Sequence, residues 1–241
     1  MQETVQETGF QARDFCNWLT ELVKDQVPVS CQAGLPTEAQ WEYACRLMKT
    51  SDGQPYCVET EYYTGDGEAA LRAAGWFGEE FSGGSTHPVG RLRPTDFGLH
   101  DLHGNVWEWC NDVWNEDAYK TRADGVADPR VFASDIGESE DNAYRVFRGG
   151  CWSGSAWNCR AAFRGRGWPG IRDWFVGFRV CLFSGPVPSQ SSQQTGASSE
   201  PLSVDEARRQ AAAESEDMGG DDAEVDLSRA LLPKRSDGTK F

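Results

Sequence analysis

The stretch Arg145–Cys181, RVFRGGCWSGSAWNCRAAFRGRGWPGIRDWFVGFRVC, decides how the rest of the chain is read. Tyr144, Val146 and Phe147 form a strand pattern that stops at the glycine pair Gly149-Gly150, and a second strand pattern runs from Phe175 to Cys181. Between them no helical period survives. Trp152, Trp157, Trp168 and Trp174 stand there among Gly, Ser and Arg. Large rigid side chains on a backbone that can bend tightly describe a presentation surface.

Working outward, three blocks fall in a fixed order: LPTEAQWEYACR at Leu35–Arg46, FGLHDLHGNVWEW at Phe97–Trp109, and the frame RGG-x-W, CRAA and GFRV from Arg148 to Val180. Together they resemble the formylglycine-generating enzyme (sulfatase-modifying factor) family over roughly residues 9 to 183. The resemblance implies an α+β fold, an irregular variant of the C-type lectin fold. It also implies several strands before the first helix, so an N-terminally abbreviated domain is expected at residues 1–183, followed by a disordered acidic tail at 184–241.

The chain has 241 residues, eight cysteines and a formal net charge of −15. Without a Lys/Arg excess to replace counterions, phosphate-driven nucleic-acid binding is not expected. No apolar run approaches the ~20 residues of a membrane helix, and no charged-then-apolar leader is seen. A cytoplasmic address with buried free thiols is the expectation.

Local signals place the helices. Gln11–Lys24 is amphipathic, with Phe15, Trp18, Leu19 and Leu22 on one stripe expected to face the core. Thr37 and Gln40 form a capping box for a helix running to about Met48 that buries Trp41 and Cys45. Residues 115–142 read as a solvated acidic excursion. In the tail, Ser203 and Glu206 form a capping box for a short helix, and Leu227, Leu231 and Leu232 are the residues able to dock.

Two metal readings arise. Asp101, Asn105 and Glu108 offer three hard oxygens around the Gly104 turn, a pattern that suits Ca²⁺ and that a solvated turn also produces. The resemblance implies a calcium site in this block. It also implies a copper pair of cysteines just after RGG that oxidises a substrate cysteine, and soft Cu(I) needs two thiolates at close range. Here only Cys151 and Cys159 are near, spaced farther apart than the family's pair, with Cys151 at the place of a serine. Formylglycine generation through copper at Cys151 and Cys159 is therefore the alternative, and a non-catalytic module the first reading.

Relatives with a loop of this length resemble the variable proteins of diversity-generating retroelements, whose mutagenised Asn codons build a binding face on this fold. Ser, Gly, Phe, Ile and Asp are all reachable from an AAC codon by adenine changes. On this resemblance, with Trp168 and Trp174 added as large rigid side chains of the hot-spot type, the face comprises Ser153, Gly154, Ser155, Phe163, Gly165, Gly167, Trp168, Ile171, Asp173, Trp174 and Phe175, presented to a protein or peptide ligand. Arg148, Arg160, Arg164 and Arg179 belong to the frame, satisfying carbonyls and buried carboxylates. Trp41, Trp107 and Trp109 are expected in the core.

Overall fold

The structure, a computed structural model, describes residues 8–25, 31–121, 126 and 128–184. Expectations for the tail beyond Ser184, including its helix, its leucines and its disorder, fall outside the described residues. The elements run α1 (Gly9–Val23), β1 (Cys31–Gly34), α2 (Glu38–Arg46), β2 (Leu47–Lys49), β3 (Pro55–Cys57), α3 (Gly67–Leu71), β4 (Gly75–Trp76), α4 (Glu79–Ser82), β5 (His103–Gly104), β6 (Trp107–Val113), α5 (Ala118–Thr121), β7 (Arg145–Arg148), β8 (Gly165–Gly167), β9 (Val176–Phe178) and β10 (Cys181–Ser184). This is the expected α+β architecture, with much irregular chain between short elements.

β6 organises it. The strand sits inside a four-stranded sheet of order β8-β7-β6-β9. It pairs antiparallel with β7, Glu108 opposite Arg148, and parallel with β9, Glu108 opposite Gly177. Side chains alternate along a strand, so its two faces feed two cores. Trp107 and Trp109 pack on Phe147 with ring centroids at 5.0 and 5.3 Å, while Cys110 joins Trp41, Cys45 and Leu102 on the other side. Trp41, Trp107 and Trp109 are all buried, as expected. Truncating a buried Trp commonly costs about 3–5 kcal/mol.

The capping box of α2 forms, Thr37 accepting from the Gln40 amide and the Gln40 side chain accepting from the Thr37 amide. The helix ends at Arg46, because Leu47 turns extended to pair β2 with β3. β4 and β5 touch so closely that a Cβ on Gly104 would overlap the Trp76 carbonyl and one on Gly75 the His103 carbonyl. Glycine is required at both positions.

Two expectations are corrected. The helix α1 turns Gly9, Ala12 and Cys16 inward and leaves Trp18 and Leu22 each 55% exposed, with Phe15 exposed beside them. Small residues seat the helix against β1, where the Thr20 hydroxyl accepts from the Ala33 amide at 2.8 Å, so Phe15, Trp18 and Leu22 face outward while Leu19 of the same stripe packs against the core as expected. The region 115–142 is not merely solvated: Ala118, Val131 and Ala133 pack with Val113 and Ala143 in a small core of their own.

Candidate functional site

Buried ion pairs fix the loop between β7 and β9 at both ends. Arg148, fully buried, donates to the carbonyls of Ala161 (2.8 Å), Ala162 (3.2 Å) and Phe163 (2.7 Å) and pairs with Glu42. Arg164 holds both oxygens of buried Glu38. Arg179 does the same to Glu108, at 2.7 and 3.0 Å, and donates to the His100 carbonyl. Three of the four arginines expected in the frame thus satisfy carbonyls and buried carboxylates. The fourth, Arg160, donates to the Trp157 carbonyl at 3.2 Å and lies over that indole.

Within those ends the backbone turns at Gly149 and Gly150, both at positive φ, where the Cys159 sulfur occupies the space a Cβ on Gly150 would need. The Trp152 amide donates to the Asn105 carbonyl at 2.9 Å and the Gly78 amide to the Gly154 carbonyl at 2.7 Å, tying the loop to the Gly104 block and to α4. Ser155 donates through its amide and hydroxyl to Asn158, capping a 3₁₀ turn at Ala156–Cys159. That turn buries Cys159 and swings Trp157 out.

Of the face expected from sequence, Ser153, Ser155 and Trp174 are exposed, and Gly154, Trp168, Ile171 and Asp173 are half-buried. Phe163, Gly165, Gly167 and Phe175 are buried and drop out of any face. Phe163 packs on Trp107 at 5.9 Å. The Phe175 carbonyl accepts from the Trp107 amide, and the two glycines are small because the Phe147 ring lies across β8. Trp174 stands edge-on against buried Trp152, centroids 5.6 Å apart. The most exposed aromatic of the loop, Trp157 at 59%, was missed. Its signal was the Ser155–Asn158 cap, which makes the turn that everts it.

All but one of the side-chain oxygens proposed for calcium are committed elsewhere. Glu108 is bound by Arg179 and by the Trp41 indole N–H at 2.8 Å. Asn105 exchanges two hydrogen bonds with the His87 backbone, and Asp101 accepts from the Gly90 amide through Oδ2, while its buried Oδ1 has no hydrogen-bond partner. A calcium ion would have to compete with a guanidinium for Glu108, so these residues do not fit the ion as arranged. No group of three His, Cys, Asp or Glu able to hold a metal occurs among the described residues. His103 is buried and bonded at both nitrogens, Nδ1 donating to the Cys159 carbonyl at 2.7 Å and Nε2 accepting from the Tyr63 amide at 3.2 Å, which fixes the neutral form. Burial lowers it to about 4.

The two cysteines fit copper no better. Cys151 packs in the Trp107 core and Cys159 in a cluster with Tyr62, Leu71 and Phe77. Both are free thiols, and burial pushes both pKa values up. A Cu(I) ligand must be thiolate, and these sites favour the protonated form.

Against this geometry, the model of the sulfatase-modifying factor enzyme 1-like domain matches residues 8–182. The chain belongs to this family. The sulfatase-modifying factor domain here is 33% identical to the formylglycine-generating enzyme of Thermomonospora curvata over 181 residues, 71% of this chain and 51% of that one. It is 34% identical to the serine/threonine-protein kinase pkn1 of Chlamydia pneumoniae over 145 residues, 60% of this chain and 20% of the kinase. The chain thus spans about half of the former's length and a fifth of the latter's. Among solved structures it resembles Treponema denticola variable protein 1 (TM-score 0.58, 28% identity, 74% of this chain and 70% of that chain). It also resembles PvdO from Pseudomonas aeruginosa (TM-score 0.53, 25% identity, 75% and 61%). The formylglycine-generating-enzyme-like, C-type-lectin-like fold is the one the sequence blocks indicated.

Proposed function

We propose that this domain is a non-catalytic module that binds a protein or peptide, with nucleic acid excluded, through the loop carrying Ser153, Ser155, Trp157 and Trp174, half-buried Gly154, Trp168, Ile171 and Asp173 forming its base. The observation that carries the reading is the pairing of a pinned frame with everted indoles: Arg148, Arg164 and Arg179 hold the loop's ends, while Trp157 and Trp174 stand 59% and 38% exposed. Indoles held this way bring large contact area with little rotamer entropy to lose, which is the make-up of binding hot spots. Buried, protonated Cys151 and Cys159 favour binding over oxidation. The likeness to a variable protein supports a finer form of the proposal, the variable protein of a diversity-generating retroelement. A nearby non-coding repeat matching the codons of residues 145–181 except at adenines, beside a reverse transcriptase gene, is the expected genomic mark.

The alternative is a copper-dependent formylglycine-generating oxidase, favoured by the relatives of that name. A photo-crosslinker at Ser153 or Ser155 tests the first reading in cells: a specific adduct that disappears in the W157A/W174A variant supports it. Conversion of a cysteine-bearing sulfatase-type peptide to its aldehyde by protein loaded with Cu(I), abolished in Cys159→Ser, overturns it.

A further inference from the structure

Apart from the tryptophan loop, two guanidinium groups from distant elements converge on one carboxylate. Arg145 of β7, only 4% exposed, donates through one terminal nitrogen to the Glu140 carbonyl at 2.7 Å and to the Glu140 carboxylate. Arg13 of α1 places a terminal nitrogen 3.8 Å from that same carboxylate oxygen. The Arg145 Nε is buried with no hydrogen-bond partner, an unmade bond that is costly on a charged donor. A third cation adds to the field: Arg130 lies over Phe132 and donates to the Asn111 carbonyl at 3.2 Å. Burial first, and then the field of Arg145, lowers the Arg13 pKa, and burial likewise lowers Arg130. Arginines do not discharge in proteins, so such a cluster relaxes by acquiring negative charge instead. Asp14 and Asp141 supply some from exposed positions.

Arg13 and Arg145 also line a cavity of about 10 Å³, walled by Leu35, Trp109 and Pro169. That is the space one water-sized atom takes. One carboxylate oxygen fits that space, with the rest of its group toward the mouth.

We propose that Arg13 and Arg145 form a carboxylate-binding site, in which Glu140 acts as an internal, half-exposed occupant that an outside carboxylate supplements or displaces. The group already held between the two guanidinium groups is a carboxylate, that of Glu140, and this sets the ligand class. The source is either a free organic acid or an acidic side chain of a partner.

The test uses the full chain and thermal melting, comparing sodium acetate with sodium chloride at equal ionic strength. A ligand that binds only the folded state raises Tm with its concentration. Acetate should raise the wild-type Tm above the chloride control by about 3–6 °C at roughly ten times its dissociation constant. The rise should be larger in Glu140→Gln, where the internal competitor is gone, and absent in Arg13→Gln. Acetate effects of equal size in wild type and Arg13→Gln would be general solvent effects and overturn the site, and so would no acetate effect in wild type. Should Glu140→Gln fail to fold, the wild-type and Arg13→Gln pair decides alone. Acetyl-glutamate N-methylamide separates the sources: protection by both compounds assigns the site to an acidic side chain, and protection by acetate alone to a free acid.

Discussion

Arg164 grips both carboxylate oxygens of Glu38, at 2.6 and 2.8 Å, across 126 residues of sequence. Glu38 opens α2 and Arg164 precedes β8, so this pair clamps the first helix-bearing block to the loop that carries Trp157 and Trp174. Arg148 stands 3.6 Å from the same carboxylate, and the two side chains of that contact are fully buried.

Removing the acid while leaving the cations should therefore cost more than removing an exposed pair. Glu38→Gln is expected to lose about 3–5 kcal/mol in urea unfolding, because it leaves uncompensated buried charge. The exposed pair of Lys24 with Glu21 is the control, expected within about 1 kcal/mol of neutral.

Gly104 has a second, independent sensitivity. Its φ is +71° and a Cβ there would overlap the Trp76 carbonyl, so Gly104→Ala combines backbone strain with loss of the β4–β5 contact. A loss of about 3 kcal/mol or more is expected, or no folded protein at all. Gly53, also at positive φ but with open space around it, should cost only about 1 kcal/mol on the same substitution.

How far such features were legible depended on whether their cause was local. The α2 cap and the buried Trp41, Trp107 and Trp109 sit inside compact blocks, and the strand alternation about β6 follows from the side-chain period. The outward turn of Phe15, Trp18 and Leu22 was not legible, because the helix is seated by Ala12 and Cys16 against a strand whose position the helix sequence does not encode. Nor were the partners of Asp101, Asn105 and Glu108: Arg179 reaches Glu108 from 71 residues away. Oxygen spacing predicts a ligand set only when no cation elsewhere in the chain claims it first.

The Glu108–Arg179 pair makes the calcium expectation testable. Millimolar Ca²⁺ should leave the melting temperature where equal ionic strength of Na⁺ leaves it, since Arg179 already occupies both oxygens. A Ca²⁺-specific rise that Glu108→Ala abolishes would restore the ligand set.

Two buried groups with opposite shifts govern stability at mild acidity. Burial raises Asp112 from 3.8 to about 6, so the folded state binds the extra proton and its contribution is lost as pH rises toward 6. Burial lowers His103 from 6.5 to about 4, so the unfolded state binds the extra proton and stability is lost as pH falls from 6.5 toward 4. Each is worth on the order of 3 kcal/mol at full extent, and the signs oppose. The wild-type profile between pH 4 and 6 should be shallow. Asp112→Asn should make stability rise with pH across that window, and His103→Gln, whose amide can keep both hydrogen bonds, should make it fall. Chemical denaturation at pH 4, 5 and 6 reads both slopes, and parallel profiles for the three proteins would refute the assignment.

The tryptophan loop separates binding from folding. Trp157 is 59% exposed and touches Arg160 through its ring, while Trp174 rests edge-on against Trp152 at the rim. Trp157 has the smaller buried area, so its replacement by Ala should cost about 1 kcal/mol or less of unfolding free energy, while Trp174, 38% exposed and packed on Trp152, should cost about 2 kcal/mol. Phe163, buried on Trp107, should lose about 3–5 kcal/mol on the same truncation. Ligand affinity, measured with the partner identified by cross-linking at Ser153 or Ser155, should follow the reverse order. Trp157→Ala and Trp174→Ala should each weaken binding by about 30-fold, the ~2 kcal/mol of a hot-spot indole. Loss of stability at Trp157 with affinity unchanged would mean that the indole supports the frame, and the binding face would then have to lie elsewhere on the domain.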